Sequence, residues 1–151
     1  MRQEDEQPPL PTQQTKPSII MAWKSERKEN IIEATYMTMQ ALQPNSTLQG
    51  GKYRIIEKLG QGGFGITYLA ENTLLLGKVA IKEFFFKEYC NRDDSTSRVT
   101  IPTSGNREIV ERFKQKFIKE AKTIFRLNHP NIVRIHDVFE ENDTAYYVMD
   151  Y

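Results

Sequence analysis

The feature that most constrains this chain is a glycine-rich turn between two segments of strand-forming sequence. The turn reads Gly-Gln-Gly-Gly-Phe-Gly over residues 60–65, and Val-Ala-Ile-Lys follows at 79–82. β-Branched and aromatic residues come after Gly65, whereas a dinucleotide-binding fold would open a helix there. No GxxxxGK[ST] sequence of a P-loop occurs either. The pattern predicts a β-hairpin whose backbone cradles nucleotide phosphates, with Lys82 as a fixed cation.

The composition argues against two classes of binding partner. The chain has 151 residues, a charged fraction of 27% and a net charge of +1, so neither nucleic acid nor a membrane surface is indicated. No apolar run approaches the roughly 18 residues that span a bilayer, and the N-terminus lacks a signal-peptide pattern. Cys90 is the single cysteine, an ordinary free thiol that gives no disulfide framework and no metal cluster. A cytoplasmic location is expected, with no metal ligands in this chain.

Residues 1–38 differ in composition from the rest. Prolines at 8, 9, 11 and 17 stand among Gln, Thr and charged residues, which predicts a disordered arm. Ile31, Ile32, Tyr36 and Met39 have partial helical spacing, compatible with a helix that docks elsewhere or with a nascent helix. We favour the nascent helix, because short isolated helices are marginal. Residues 39–151 are predicted to form the folded domain.

The folded domain is predicted to be α+β, with a five-stranded antiparallel sheet and one long helix. Strands are predicted over residues 53–59, 66–71, 78–84, 132–140 and 144–151. The helix, predicted over 107–128, follows the third strand, with Asn106 as its N-cap and His129-Pro130 beyond its end. The polar stretch from about 87 to 106 lacks periodicity and is predicted to be a mobile insertion.

Two charged residues lie on surfaces predicted to be apolar. Lys82 follows the core-like residues 79–81, and Glu120 lies within a helical stripe formed by Phe113, Phe117, Ile124 and Leu127. Each alone is compatible with a charged group that reaches solvent. Together with the glycine hairpin, an ion pair between Lys82 and Glu120, directed at phosphates, explains both.

With these residues identified, the chain resembles the N-terminal lobe of a eukaryotic-type protein kinase, most closely the bacterial serine/threonine kinases. The motifs are the glycine-rich loop at 59–70, Val-Ala-Ile-Lys at 79–82, Lys-Glu-Ala at 119–121, His-Pro-Asn-Ile-Val at 129–133 and Tyr-Tyr-Val-Met-Asp-Tyr at 146–151. The resemblance covers about residues 51–151. It implies an ATP-binding lobe of an enzyme that transfers the γ-phosphate to protein hydroxyls.

The resemblance also implies a role for individual residues. Lys82 would hold the α- and β-phosphates, oriented by Glu120, and Phe64 would cap the hairpin tip. Ile124 and Ile135 correspond to members of the family's hydrophobic spine. Leu59, Thr67 and Ala80 would enclose adenine, Met149 would be the gatekeeper, and the carbonyl of Asp150 would accept the adenine amine. The implied ATP-binding set is Leu59, Gly60, Gln61, Gly62, Gly63, Phe64, Gly65, Ile66, Thr67, Ala80, Lys82, Met149 and Asp150.

The sequence departs from the family in three ways. Thr67 replaces the commoner valine, which adds a hydroxyl against the base. The insertion lengthens the separation of Lys82 from Glu120. The HRD and DFG motifs, which carry the catalytic aspartate and the Mg²⁺ ligands, do not occur in the chain. The chain alone is therefore expected to be inactive, although ATP and Mg²⁺ are the cofactors that the family uses. The alternative is a pseudokinase-type or lone-lobe interaction module without catalysis.

Several apolar side chains of the predicted lobe are expected to be partly exposed. Exposed apolar area beyond a few hundred Å² usually finds a partner. Self-association is therefore expected, through Ile124, Leu127, Ile135, Met149 and the run Phe84–Phe86.

Overall fold

The structure is a computed structural model that describes residues 17–151, in two units divided between residues 35 and 36. Helix α1 covers Pro17–Met39. No glycine or proline interrupts residues 18–39, which favours a helix there. A helix in this part of the predicted arm is compatible with the nascent helix favoured from the sequence. Disorder of the arm stays a prediction, and residues 1–16 lie outside the described residues. Ile31 and Ile32 are exposed.

The folded unit is built on an antiparallel sheet of six strands in the order β1-β2-β3-β4-β8-β7. Five of these strands confirm the predicted sheet to within a few residues, and the two-residue strand β1 extends its edge. Their bounds are Thr47–Leu48 (β1), Tyr53–Gln61 (β2), Gly65–Asn72 (β3), Gly77–Phe84 (β4), Ile135–Glu141 (β7) and Thr144–Asp150 (β8). The α+β class predicted from the sequence is confirmed.

Strand β4 places two neighbouring charged residues on opposite faces of the sheet. Lys82 lies opposite Thr67 on β3 and Tyr147 on β8, while Glu83 lies opposite Tyr146 on β8. Successive side chains along a strand alternate between faces. Lys82 therefore belongs to the face that carries helix α2, and Glu83 belongs to the other face.

Helix α2 covers Arg107–Phe125, after a 3₁₀ turn over Ser104–Asn106. It packs on the Lys82 face, because the ring of Phe117 lies 4.9 Å from that of Tyr147 and 5.8 Å from that of Phe84. Asn106 lies at the N-cap position, as predicted, although its side chain makes no capping hydrogen bond. The predicted end of the helix is wrong: α2 ends three residues early, which leaves Leu127 beyond its end and 52% exposed.

The predicted mobile insertion has structure of its own. Strands β5 (Asn91–Arg92) and β6 (Val99–Thr100) form a hairpin, and the amide of Val99 donates to the carbonyl of Asn142 at 2.8 Å. Cys90 and Val99 are buried. The prediction of a mobile, unpacked segment is therefore wrong for this hairpin. Its apolar residues stand singly among polar ones, so no periodicity indicates them.

The turn of this hairpin is ordered by a carboxylate. Asp93 accepts hydrogen bonds from the amides of Ser95 and Thr96, both at 2.9 Å, and from the hydroxyl of Ser95 at 2.6 Å. The hydrogen bonds from Ser95 and Thr96 lower the pKa of Asp93 to about 2. The turn is therefore an Asx-type turn that keeps its acceptor charged at neutral pH.

The buried carboxylate of this fold is Glu83. Its side chain is fully buried and accepts hydrogen bonds from the hydroxyls of Tyr68 at 2.6 Å and Tyr146 at 2.8 Å, and from Arg92 Nη2 at 2.7 Å. Burial, and then the charge of Glu83, raises the pKa of both tyrosines, so their hydroxyls remain donors. Burial lowers the pKa of Arg92, but the charge and hydrogen bond of Glu83 outweigh it and leave that pKa raised.

We predict that Tyr68→Phe lowers the free energy of unfolding by about 1–3 kcal/mol, because one donor to Glu83 is lost and the amide of Leu42 loses its acceptor. Tyr89→Phe is the control, since the Tyr89 hydroxyl has no hydrogen bond among the described residues while its ring packs on Phe86. This control should stay within about 0.5 kcal/mol of wild type. Urea unfolding measures the free energy of unfolding of each variant, and equal midpoints for the two variants would contradict the prediction.

Candidate nucleotide-phosphate site

A cavity of about 510 Å³ lies between the glycine-rich loop, strand β4 and helix α2. It brings together eight of the residues that the sequence assigned to the site and four that it did not. The assigned residues are Gly60, Gln61, Gly62, Phe64, Gly65, Thr67, Lys82 and Glu120, and the additional ones are Phe84, Phe113, Lys116 and Phe117. The other assigned residues, Leu59, Gly63, Ile66, Ala80, Met149 and Asp150, are not part of the cavity wall.

The glycine-rich loop is fixed to the chain that follows strand β4. The amide of Phe85 donates to the carbonyl of Phe64, and that of Lys87 donates to Gly63, both at 2.9 Å. A Cβ atom added to Gly65 would lie 2.9 Å from the carbonyl oxygen of Glu83, so only glycine allows this approach. No atom lies within 4 Å of a Cβ added to Gly63. The loop is therefore tight at its base and open at its tip.

Lys82 and Glu120 line the same cavity but do not form the predicted ion pair. Within the described residues, no distance between the Lys82 amine and the Glu120 carboxylate falls within 4.0 Å. The Lys82 amine lies 5.8 Å from the centre of the Tyr147 ring, and Glu120 is exposed. Phe117, one turn before Glu120, packs between α2 and the sheet. The pair is predicted for an active-like structure, so the open arrangement seen here leaves its formation a prediction, while both residues line one cavity.

The tip of the glycine-rich loop contacts helix α2 through aromatic rings. Phe64 stacks on Phe113 at 5.2 Å with an angle of 16° between the rings, and it lies 4.7 Å from Phe86. Phe64 was predicted to lie at the tip of the glycine-rich hairpin, but its contacts with Phe113 and Phe86 were not predicted. The 3.6-residue stripe that contains Phe113 is the signal that could have indicated the contact with α2.

Residues assigned to adenine lie next to the cavity. Ala80 is paired with Met149 across strands β4 and β8, and Ile135 is paired with Met149 from β7. Ile66 is buried on the Glu83 face, so its side chain cannot reach a ligand on the Lys82 face. The side chain of Asp150 contacts His136 Nε2 at 2.5 Å. The adenine contacts themselves stay predictions.

The two residues assigned to the hydrophobic spine meet in one apolar cluster. Ile135 is buried there with Ala121 and Tyr147, and Ile124 packs against them. This cluster joins the C-terminal half of α2 to β7 and β8.

The described residues contain neither a candidate metal site nor a candidate membrane span. In the described part of the chain, no group of three or more His, Cys, Asp or Glu side chains could hold a metal ion. Among residues 17–151, neither helix is long and apolar enough to cross a membrane.

Comparison with known proteins agrees with this geometry. Residues 53–151 match the protein kinase domain family. The chain belongs to the protein kinase family. It is 38% identical over 101 residues to the serine/threonine-protein kinase PrkC of Bacillus subtilis, and 33% identical over 108 residues to serine/threonine-protein kinase C of Synechocystis. The match spans the N-lobe region of a bacterial-type serine/threonine kinase, as the motifs predicted.

A solved structure supports the same assignment. The chain superposes on the apo form of PpkA-294 with a TM-score of 0.70 and 28% identity, over 74% of this chain and 39% of the other. The matches cover 67% of this chain but 13% of PrkC, and 69% of this chain but 17% of the Synechocystis kinase. The chain therefore spans a small part of the curated kinases that it matches.

We predict that Gly65→Ala lowers the free energy of unfolding by about 1–3 kcal/mol, because its Cβ would force β3 and β4 apart at the Glu83 carbonyl. Gly63→Ala is the matched control, since its added Cβ meets open space. It should change stability by less than about 1 kcal/mol. Thermal unfolding of both variants tests this, and a Gly65→Ala variant as stable as the control would refute the close approach.

Proposed function

We propose that this chain is the ATP-binding lobe of a serine/threonine protein kinase, and that the cavity beneath the glycine-rich loop receives the nucleotide phosphates. The observation that carries the proposal is the convergence of the loop and Lys82 on one cavity. Two lysines, Lys82 and Lys116, and one carboxylate, Glu120, line it. The excess of positive charge suits a polyphosphate, and the loop backbone can approach it closely.

The role of Glu120 in this proposal is to orient Lys82 once phosphates are bound. Both side chains already border the same cavity, so a movement of α2 that closes their separation would bring them together. The catalytic residues that we assign within this chain are accordingly Lys82 and Glu120. Leu59, Ala80, Met149 and the Asp150 carbonyl are proposed to enclose adenine at the adjoining edge of the sheet.

The reaction proposed for the whole protein is transfer of the ATP γ-phosphate to hydroxyl groups of a protein substrate in the cytoplasm, with Mg²⁺ as the second cofactor. The described residues offer the phosphate-binding loop and its lysine, but no cluster of metal ligands. We therefore expect this chain alone to bind MgATP weakly and to transfer no phosphate. An interaction module without catalysis is the competing proposal, and it requires no response to nucleotide.

We predict that MgATP at millimolar concentration shifts the backbone amide NMR signals of residues 60–65, and that Lys82→Met weakens this binding by about tenfold or more, as expected for a lost charged contact. Lys78→Met is the matched control. Lys78 lies on the same strand, is exposed, and is outside the cavity. It should bind MgATP as wild type does.

Three results would contradict the proposal. Absence of any nucleotide-dependent shift in wild type would favour the interaction module. Equal losses in the Lys82 and Lys78 variants would remove the specific role of Lys82. A low-micromolar affinity would refute the expected weak binding.

Self-association of the chain is also proposed, through a surface that differs partly from the predicted one. Ile135 and the run Phe84–Phe86 are buried, so they do not contribute. The exposed apolar residues near the end of α2 are Phe125, Leu127, Ile132 and Val133. Apolar surface of this kind usually finds a partner.

We predict that light scattering shows a mass that rises with protein concentration, and that Leu127→Asp reduces this rise. Leu75→Asp is the control, because Leu75 is 80% exposed on the β3–β4 turn, outside the proposed surface. A monomer at every concentration would refute self-association, and a larger effect of Leu75→Asp would move the contact to that turn.

A further inference from the structure

Arg92, on the insertion hairpin, is almost completely buried, and each of its three donor nitrogens reaches a different segment. Nη2 donates to the Glu83 carboxylate at 2.7 Å, Nη1 to the carbonyl of Ser97 at 2.7 Å, and Nε to the carbonyl of Gln40 at 2.6 Å. The side chains of Arg92 and Glu83 are 3% and 0% exposed. The hairpin is thereby joined to strand β4 and to the segment that precedes β1.

A buried ion pair of this kind contributes little net stability. The cost of removing both charges from water offsets most of their attraction, so a neutral replacement of the whole pair is often tolerated. What the pair does supply is geometry, because a guanidinium with three committed donors can occupy only one position.

The contacts lead from Arg92 to the glycine-rich loop. The Gln40 carbonyl accepts from Arg92, and the Gln40 side-chain oxygen accepts from Gln61 Nε2 at 3.1 Å. Gln61 lies between the first two glycines of the loop and lines the cavity. Gln40 is 3% exposed, and its own Nε2 has no hydrogen-bond partner. Within the described residues, this one side-chain contact joins Gln40 to the loop.

The same segment is attached to Glu83 by a second route. The amide of Leu42 donates to the hydroxyl of Tyr68 at 3.0 Å, and that hydroxyl donates to Glu83 at 2.6 Å. Residues 40–42 are therefore held at both ends by groups that meet on one carboxylate. Glu83 in turn is the neighbour of Lys82, whose side chain points to the opposite face.

We propose that Arg92 is a positioning residue of the nucleotide site, acting through Gln40 to hold Gln61 and with it the glycine-rich loop. The inference rests on the proposed function, because it assigns the loop to nucleotide phosphates. The insertion hairpin then belongs to the site, although it lies on the face of the sheet opposite the cavity.

The first test is amide hydrogen exchange of the 151-residue chain without nucleotide. In Gln61→Ala, and in the double variant Glu83→Gln with Arg92→Met, exchange of the amides at 60–65 should become about five- to tenfold faster, the size of one lost hydrogen bond. The double variant removes both buried charges, so it avoids the unpaired carboxylate that Arg92→Met alone would leave. Its central strand amides, at Ile81 and Val148, should keep their protection.

The second test is the MgATP titration of the same variants. Both should bind about five- to tenfold more weakly than wild type. Arg98→Met is the matched control, since Arg98 lies in the same hairpin and pairs with Asp143 on the surface. It should leave loop exchange and affinity unchanged.

The two tests distinguish a failure of the positioning role of Arg92 from a failure of the proposed nucleotide binding. Loop exchange at the wild-type rate in Gln61→Ala or in the double variant would overturn the positioning role, whatever the affinity. An equal effect of Arg98→Met would assign the loop's order to the hairpin as a whole and would also overturn it. If wild type binds no MgATP, the proposed function fails, and exchange still decides whether Arg92 positions the loop.

Discussion

The hydrogen bonding of one buried carboxylate determines how the parts of this lobe are joined. Glu83 accepts from two tyrosines and one arginine, so its charge is satisfied without water. Each donor comes from a different element: Tyr68 from β3, Tyr146 from β8 and Arg92 from the insertion. An unpaired carboxylate at this depth would cost several kcal/mol, so the three elements are constrained to meet there. The central sheet and the hairpin therefore share one electrostatic centre.

Side chains alternate between the two faces of the sheet along strand β4, so the hydrogen-bond network of Glu83 lies on the face opposite the candidate phosphate site. Lys82 and Glu83 are neighbours, yet one faces the cavity and the other faces the buried network. A change in the network can reach Lys82 through the backbone of β4, or through β8, where Tyr146 is followed by Tyr147 under the Lys82 amine. It reaches the glycine-rich loop through Gln40 and Gln61. The loop also approaches strand β4 directly, where Gly65 lies against the Glu83 carbonyl. The loop is thus held from both faces of the sheet.

Sequence reasoning predicted the sheet, helix α2 and eight of the twelve residues that line the cavity, because strand alternation, the glycine turn and the proline after the helix are local signals. It missed the insertion hairpin, where the buried residues Cys90 and Val99 and the buried side chain of Arg92 stand singly in a polar segment. It also assigned the buried carboxylate to Glu120, although Glu83 alternates with Ile81 and Phe85, both fully buried. This alternation is a local signal, so the burial of Glu83 could have been predicted from the sequence. What no local pattern contains is the identity of the donors, which come from residues 9 to 63 positions away.

The open Lys82–Glu120 pair follows from the relative size of two interactions. Helix α2 is attached to the sheet by Phe117 on Phe84 and Tyr147, and each aromatic contact contributes about 0.5–1.5 kcal/mol beyond the area it buries. An ion pair in a cavity open to water contributes only about 0–1 kcal/mol. Closing the pair at the expense of these contacts would cost more than it gains. A ligand that excludes solvent from the cavity would lower the local dielectric and strengthen the pair, so the role proposed for Glu120 depends on occupancy of the cavity.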